Sequence, residues 1–262
     1  MDDYKALNRF GKNRYSIRHQ ETVDSTNNWA KEEAGRGAPE GTVLIADSQT
    51  AGKGRRGRSW ESPAGTSVYM SLILRPQIAP ERASMLTLVA GLSVVQTIRE
   101  QLGLDAMIKW PNDAVIFGKK ICGILTEMNV GASGIEYVVV GIGINVNTGA
   151  FPEELADKAT SLWLEYGKQI DRQALLEAVL DSFFKNYELF LEKQDLSLLL
   201  EAYNSVLVNR QKSIRVLEPE HEYDGISGGI NEKGELLVTR EDGTEVAVYA
   251  GEVSVRGIYG YV

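Results

Sequence analysis

Residues 51 to 60, AGKGRRGRSW, set Lys53, Arg55, Arg56 and Arg58 within six positions and interleave them with Gly52, Gly54 and Gly57. Cations at that density repel one another unless an anion or solvent lies between them. Glycines let backbone N–H groups approach a ligand closely, and guanidinium forks supply matching charge, so a phosphate or a carboxylate suits this loop. A solvated basic turn is the competing reading of the same composition. The loop is not a Walker phosphate loop, because no Gly-Lys-Ser/Thr closes it.

Three further stretches carry candidate chemistry. In KWPND, Lys109 to Asp113, the proline forces a turn after a strand, and Asn112 and Asp113 can bond their own backbone there, a role as structural as functional. In GKKICGILTE, Lys119 and Lys120 fall at a hairpin tip, where a lysine is commonly solvated. In GIGINVN, Gly141 and Gly143 interrupt a strand, which marks either a bulge or a close approach by a ligand. No Ser/His/Asp or Cys/His arrangement for nucleophilic catalysis is present. The single cysteine, Cys122, excludes an intramolecular disulfide, and His19 and His221 have no metal-ligand spacing, so no metal site is expected.

The elements that must position these residues follow from periodicity. IRHQETVDST predicts a strand ending at Asp24, Ser25 and Thr26, which start a helix over NNWAKEEAGRG. GTVLIADSQT predicts a buried strand running straight into the glycine–arginine loop, and TSVYMSLILRP another. A long helix is predicted from Pro80, with Met85, Val89, Leu92, Val95, Ile98 and Leu102 on one face. Strands are predicted over AMIKW, AVIFGKKICGILTEM and IEYVVVGIGINVN, and residues 152–208 are mostly helical. From Lys212 the pattern becomes short alternating strands between Gly, Asn and Asp turns, the mark of a small barrel, with a boundary near residue 210. This order predicts an α+β (mixed α/β) fold with a mixed sheet backed by helices.

The chain has 262 residues, 43% of them hydrophobic, enough for one large domain with a small appendage. A net charge of -8 argues against general binding to nucleic acid or anionic membrane, so the basic loop is a local device. The N-terminal MDDYKALNRFGKNRYS has no apolar signal core, and no stretch is long enough to span a bilayer. A cytoplasmic location is expected.

The four motifs, in this order, resemble the catalytic domain of the biotin protein ligases. That family's loop is usually written Gly-Arg-Gly-Arg-Arg-Gly, and Lys53 stands where its first arginine is usual. The similarity runs from about Thr22 to the terminal GEVSVRG. It implies a class II aminoacyl-tRNA synthetase-like catalytic domain over residues 15–210, after an arm over 1–14, and a small C-terminal SH3-like β-barrel over 211–262. It also implies that biotin meets the start of the first helix, with Ser25, Thr26 and Asn27 bonding the ureido ring and Gln49 covering it. Gly52, Lys53, Gly54 and Gly123 would join them on the biotin side. Arg55, Arg58 and Lys120 would face the biotin carboxylate and the adenylate phosphate. Arg56, Asn112, Gly141, Gly143 and Asn145 would line the nucleotide side, and Trp60 would stack near adenine.

The implied reaction agrees with the residues. Biotin is a carboxylate and ATP a polyanion, so cations must offset their repulsion before one attacks the other's α-phosphorus; Mg2+ would accompany the nucleotide. Arg55 and Lys120 are the catalytic cations of this reading. In a second step Asp113 would orient or deprotonate the acceptor's lysine, with Lys109 stabilising charge on oxygen. The loop is expected to be displaced without ligand and to order over biotinyl-AMP. Lys53 keeps a charge but loses the planar fork.

The implied partner is the biotin carboxyl carrier domain of acetyl-CoA carboxylase or pyruvate carboxylase; the resemblance is compatible with a homodimer through the edge of the central sheet, and the sequence leaves monomer or dimer open. With about 14 polar residues before the first strand, too few for a winged-helix domain, neither DNA nor membrane is an expected partner. Lipoate ligases share the architecture but differ at the loop. A nucleotide- or RNA-binding module could use the same loop, but aromatic residues do not interleave the basic run.

Overall fold

The computed structural model describes residues 14–217, 222–250 and 254–257. Most of the predicted N-terminal arm, His221 and the first three residues of GEVSVRG therefore lie outside the described residues. The chain opens with β1 (Ser16–Val23), α1 (Thr26–Gly35), β2 (Thr42–Gln49) and β3 (Val68–Leu74). It continues through α2 (Met85–Leu102), β4 (Met107–Lys109), β5 (Asp113–Ile116), β6 (Lys119–Gly131) and β7 (Gly134–Ile144). These strands form one seven-stranded sheet in the order β1-β2-β3-β7-β6-β5-β4. The β1–β2 pair is parallel and the other pairs are antiparallel, so the sheet is mixed as the periodicity predicts.

Strand alternation divides the sheet's two faces. One face, with Met70, Leu72, Val140 and Ile142, joins the large apolar core with α2 and α5 (Arg172–Lys193). On the other, Ala30 and Ala34 of α1 pack on Leu44, Ile73 and Val139. Small residues on the helix let it lie close to the sheet. α1 covers only part of that face, and the rest is left for a site.

The helix predicted from Pro80 begins instead at Met85. Pro80–Arg82 form a separate 3-10 turn, and the N–H groups of Ala83, Leu86 and Thr87 bond three residues back, so tight turns precede the regular helix. The helical stretch comprises α3 (Glu153–Ala156), α4 (Leu162–Tyr166), α5 and α6 (Leu200–Ser205). Asp171 caps α5 by accepting from the N–H groups of Gln173 and Ala174.

The chain ends in β8 (Ser213–Leu217), β9 (Glu222–Ile230), β10 (Leu236–Arg240), β11 (Glu245–Val248) and β12 (Ser254–Gly257). They pair as a five-stranded antiparallel sheet in the order β11-β10-β9-β8-β12. Its Val216, Ile230, Leu236 and Val238 are buried in the same apolar core as α2. The fold is α+β: a large mixed sheet backed by helices, with a small C-terminal β domain. Among the described residues no helix is long and apolar enough to cross a membrane.

Candidate active site

The open part of the α1-side face is built from one cross-strand row. Lys109 pairs with Asp113, Asp113 with Gly123, Gly123 with Gly143, and Gly143 with Tyr69. Directly paired residues share a face, so the charged and glycine positions of three motifs become neighbours. A second row, Leu125, Gly141 and Ser71, runs beside it toward α1. Lys120 joins the first row through a bulge: Ala114 pairs with Cys122 but Val115 with Lys120, which leaves Ile121 as the extra residue. Ile121 and Cys122 both turn to the apolar core, and Lys120 turns to the site. Without the bulge, strict alternation would place Lys120 on the other face.

The glycines are explained by what lies on them. A Cβ at Gly143 would come 2.9 Å from Trp60 Nε1, and one at Gly123 2.8 Å from Trp60 Cζ3, so the indole rests on this glycine pair. A Cβ at Gly141 would overlap the Asn27 amide. These strand glycines thus admit the protein's own side chains. Lys120 Nζ sits 5.0 Å from the centre of the Trp60 ring, a cation–π contact, and 2.7 Å from Asp113 Oδ1. The indole Nε1 is buried without a hydrogen-bond partner.

The basic loop folds over this floor as a small hairpin. Lys53 pairs with Ser59, Gly54 N–H donates to Arg58 O at 2.7 Å, and Trp60 N–H donates to Gly52 O at 2.8 Å. Arg56, at φ 58°, and Gly57, at φ 71°, turn the tip in the left-handed region. The loop is thus a closed hairpin here, tied down by its charged side chains. Lys53 Nζ donates to Asn28 Oδ1 at 2.6 Å, and Arg55 donates to Asn112 Oδ1 at 3.0 Å and to Ala250 O. Burial pulls the Arg55 guanidinium below its ordinary pKa; Asp113 opposes this, while Arg56 and Arg58 reinforce it. An anion among these arginines offsets their mutual repulsion.

At the other end stands the start of α1. Ser25 is buried and its side chain does not cap the helix. Gln49 Oε1 accepts from Thr26 N–H at 2.8 Å, and Gln49 Nε2 donates to Ser62 Oγ at 2.8 Å. Asn27 Nδ2 donates to Glu127 Oε2 at 2.8 Å and to Leu125 O at 3.2 Å, while Ser71 Oγ lies 2.6 Å from Asn27 Oδ1. The Asn27 amide is therefore bonded within the protein on both sides. Burial raises the Glu127 pKa, but hydrogen bonds from Lys31 and Asn27, with the charges of Lys31 and Lys53, outweigh it and hold the carboxyl below its ordinary range.

Of the residues singled out from the sequence, the structure gathers Ser25, Thr26, Asn27, Gln49, Lys53, Gly54 and Arg55 around one cavity, with Arg56, Arg58, Trp60, Lys109, Asn112, Asp113, Lys120, Gly123, Gly141 and Gly143. Gly52 and Asn145 do not line it. Gly52 is pressed against the Trp60 carbonyl at the hairpin stem, and Asn145 donates to Thr160 O at 3.1 Å, anchoring the approach to α4. Sequence reasoning passed over Tyr69, Leu125, Ile142 and the C-terminal Val255, which also line it, and Ser71 and Glu127 behind its wall. A serine on the same strand face as Tyr69 in VYMSLIL, and an acid two positions beyond Leu125, were the available signals. Cys122 is fully buried, and burial pushes its thiol far above the usual range, so it is no nucleophile.

Comparison with known proteins gives the family. Residues 20–145 match the model of the biotin/lipoate A/B protein ligase family, and residues 212–256 match that of the biotin protein ligase C terminal domain. The bifunctional ligase/repressor BirA of Bacillus subtilis strain 168 is 40% identical over 241 residues, which span 90% of this chain and 73% of that protein. The chain belongs to the biotin protein ligase family. The biotin–[acetyl-CoA-carboxylase] ligase of Paracoccus denitrificans is 32% identical over 220 residues, 82% of this chain and 90% of that one. The biotin protein ligase of Aquifex aeolicus, solved in complex with biotin and ATP, superposes with a TM-score of 0.80 at 35% identity, over 92% of this chain and 98% of that chain. A biotin ligase must bring a carboxylate and a nucleotide together, and Lys53, Arg55, Arg56, Arg58, Lys109 and Lys120 of this chain line one cavity.

Proposed function

We propose that the enzyme joins biotin and ATP into biotinyl-5′-AMP and transfers the biotinyl group to a lysine of a biotin carboxyl carrier domain. The observation that carries this reading is the Lys109–Asp113–Gly123–Gly143 row, with Lys120 on Asp113 and Arg55 on Asn112 facing the same cavity. In the first step a biotin carboxylate oxygen attacks the α-phosphorus, the bond to the β-phosphate oxygen breaks, and pyrophosphate leaves. Arg55, Arg58 and Lys120 offset the repulsion between the two anions and hold them in line. Mg2+ accompanying the nucleotide would offset part of the phosphate charge that Arg55, Arg58 and Lys120 face.

In the second step a neutral lysine amine attacks the anhydride carbonyl, the carbon–oxygen bond to phosphate breaks, and AMP leaves. Asp113 accepts the amine's proton. Lys120 and Asn112, which both meet its Oδ1 at 2.7 and 3.0 Å, orient the carboxylate, and Lys109 stabilises charge on the carbonyl oxygen. The loop hairpin keeps water from the anhydride meanwhile. The C-terminal match to a biotin protein ligase domain favours biotin over lipoate, and the Paracoccus relative's name favours the acetyl-CoA carboxylase carrier as acceptor. Single-turnover transfer from preformed biotinyl-AMP tests the Asp113 role. Asp113→Asn is expected to slow it roughly 10²–10⁴-fold, the range of one lost general base. Unchanged transfer would remove Asp113 from the mechanism.

A further inference from the structure

A line of polar side chains runs from the outer edge of α1 to the cavity: Lys31, Glu127, Asn27, Ser71, Thr26 and Gln49. Both ends have fixed polarity. At the outer end the Glu127 carboxylate only accepts, from Lys31 Nζ at 2.8 Å and Asn27 Nδ2 at 2.8 Å, and the Leu125 carbonyl accepts from the same Nδ2 at 3.2 Å, so Asn27 must turn Oδ1 to Ser71. At the inner end Ser62 donates to Trp60 O at 3.1 Å, so it accepts from Gln49 Nε2, and Gln49 turns Oε1 to Thr26. Between these ends lie three short oxygen–oxygen contacts. They are Asn27 Oδ1 to Ser71 Oγ at 2.6 Å, Ser71 Oγ to Thr26 Oγ1 at 2.9 Å, and Thr26 Oγ1 to Gln49 Oε1 at 3.1 Å. Only the hydroxyls of Ser71 and Thr26 bring protons to them, so three contacts share two.

The shortest contact claims the Ser71 proton, and the deficit falls on Thr26. Thr26 and Gln49 line the cavity; Ser71 and Glu127 do not. The geometry points to Glu127, held by Lys31, as a positioning residue that leaves this wall one donor short and thereby selects a ligand bringing its own N–H. This rests on the biotin reading above, since a ureido ring carries two such donors and a dithiolane ring none. Gly141 belongs to the same device, because a side chain there would displace Asn27. A glutamine at 127 can accept from only one of its two partners. With its oxygen toward Lys31, its amide nitrogen donates to Asn27 Oδ1, Asn27 turns over at the cost of its 3.2 Å bond to Leu125 O, and every contact down to Gln49 gains a proton.

The test is calorimetric binding of biotin and of the two cyclic carbamate analogues, each with one ureido N–H replaced by oxygen. Wild-type protein is expected to prefer biotin over at least one analogue by roughly tenfold, about one hydrogen bond. Glu127→Gln should lose most of that preference, and so should Ser71→Ala, which removes two of the three contacts and leaves Thr26 its proton for Gln49. An undiminished preference in a folded variant, or equal binding of all three ligands by wild type, overturns the inference. Failure of wild type to bind biotin at all would instead sink the biotin reading, and this inference with it.

Discussion

At the scale of single residues, the site depends on a few charges whose partners are already inside the protein. Lys120 holds Asp113 and lies over Trp60, so a phosphate entering the cavity meets a cation fixed by two neighbours. Lys120→Ala is expected to lower adenylate formation roughly 10²–10³-fold, the cost of one lost electrostatic contact to a transition state. Biotin-dependent pyrophosphate release measures it, and a change under threefold would contradict the role. Glu127 makes a prediction of opposite character. Its folded pKa is depressed, so its contribution to stability is complete above the unfolded value of about 4.3 and is lost as pH falls through the folded one. The unfolding free-energy gap between wild type and Glu127→Gln is therefore expected to hold constant from pH 7 to about 5 and to narrow below about 4. Chemical denaturation across that range reads it; a gap that widens in acid would reverse the sign.

At the scale of elements, the glycines of β6 and β7 show how much of the site was legible. Their presence announced a close approach, and the motifs announced a concentration of cations nearby. The occupant was hidden, because only the Gly123–Gly143 pairing shows that Trp60 rests there and only the second row shows Asn27 on Gly141. Lys120 was similarly opaque: a bulge at Ile121 sets its direction, and a one-residue register shift leaves no trace in periodicity. The strands, α1 and the C-terminal change of pattern were plain from alternation and turn residues. The start of α2 was not, since Pro80 suits a 3-10 turn as well as a helix. Gly143→Ala tests the indole bed. Its Cβ would crowd Trp60 Nε1, so the protein is expected to lose roughly 1–3 kcal/mol of stability, as overpacked sites do. Thermal unfolding measures this, and an unchanged midpoint would mean that Trp60 is free to move aside.

At the scale of the whole molecule, the small C-terminal β domain is part of the site's frame. Trp110 of the KWPND turn donates to Gly234 O at 3.1 Å, Arg55 of the loop donates to Ala250 O, and Val255 lines the cavity. The loop and the turn that line the cavity are thus both tied to the second sheet, whose buried residues share the large core. The most direct test of the central claim is mass spectrometry of the intact protein with Mg-ATP and either biotin or lipoate, followed by addition of a biotin carboxyl carrier domain. The account predicts biotinyl-AMP with biotin alone, then a carrier heavier by one biotinyl group on lysine. Lipoyl-AMP in place of biotinyl-AMP, or no adenylate with either acid, would contradict it.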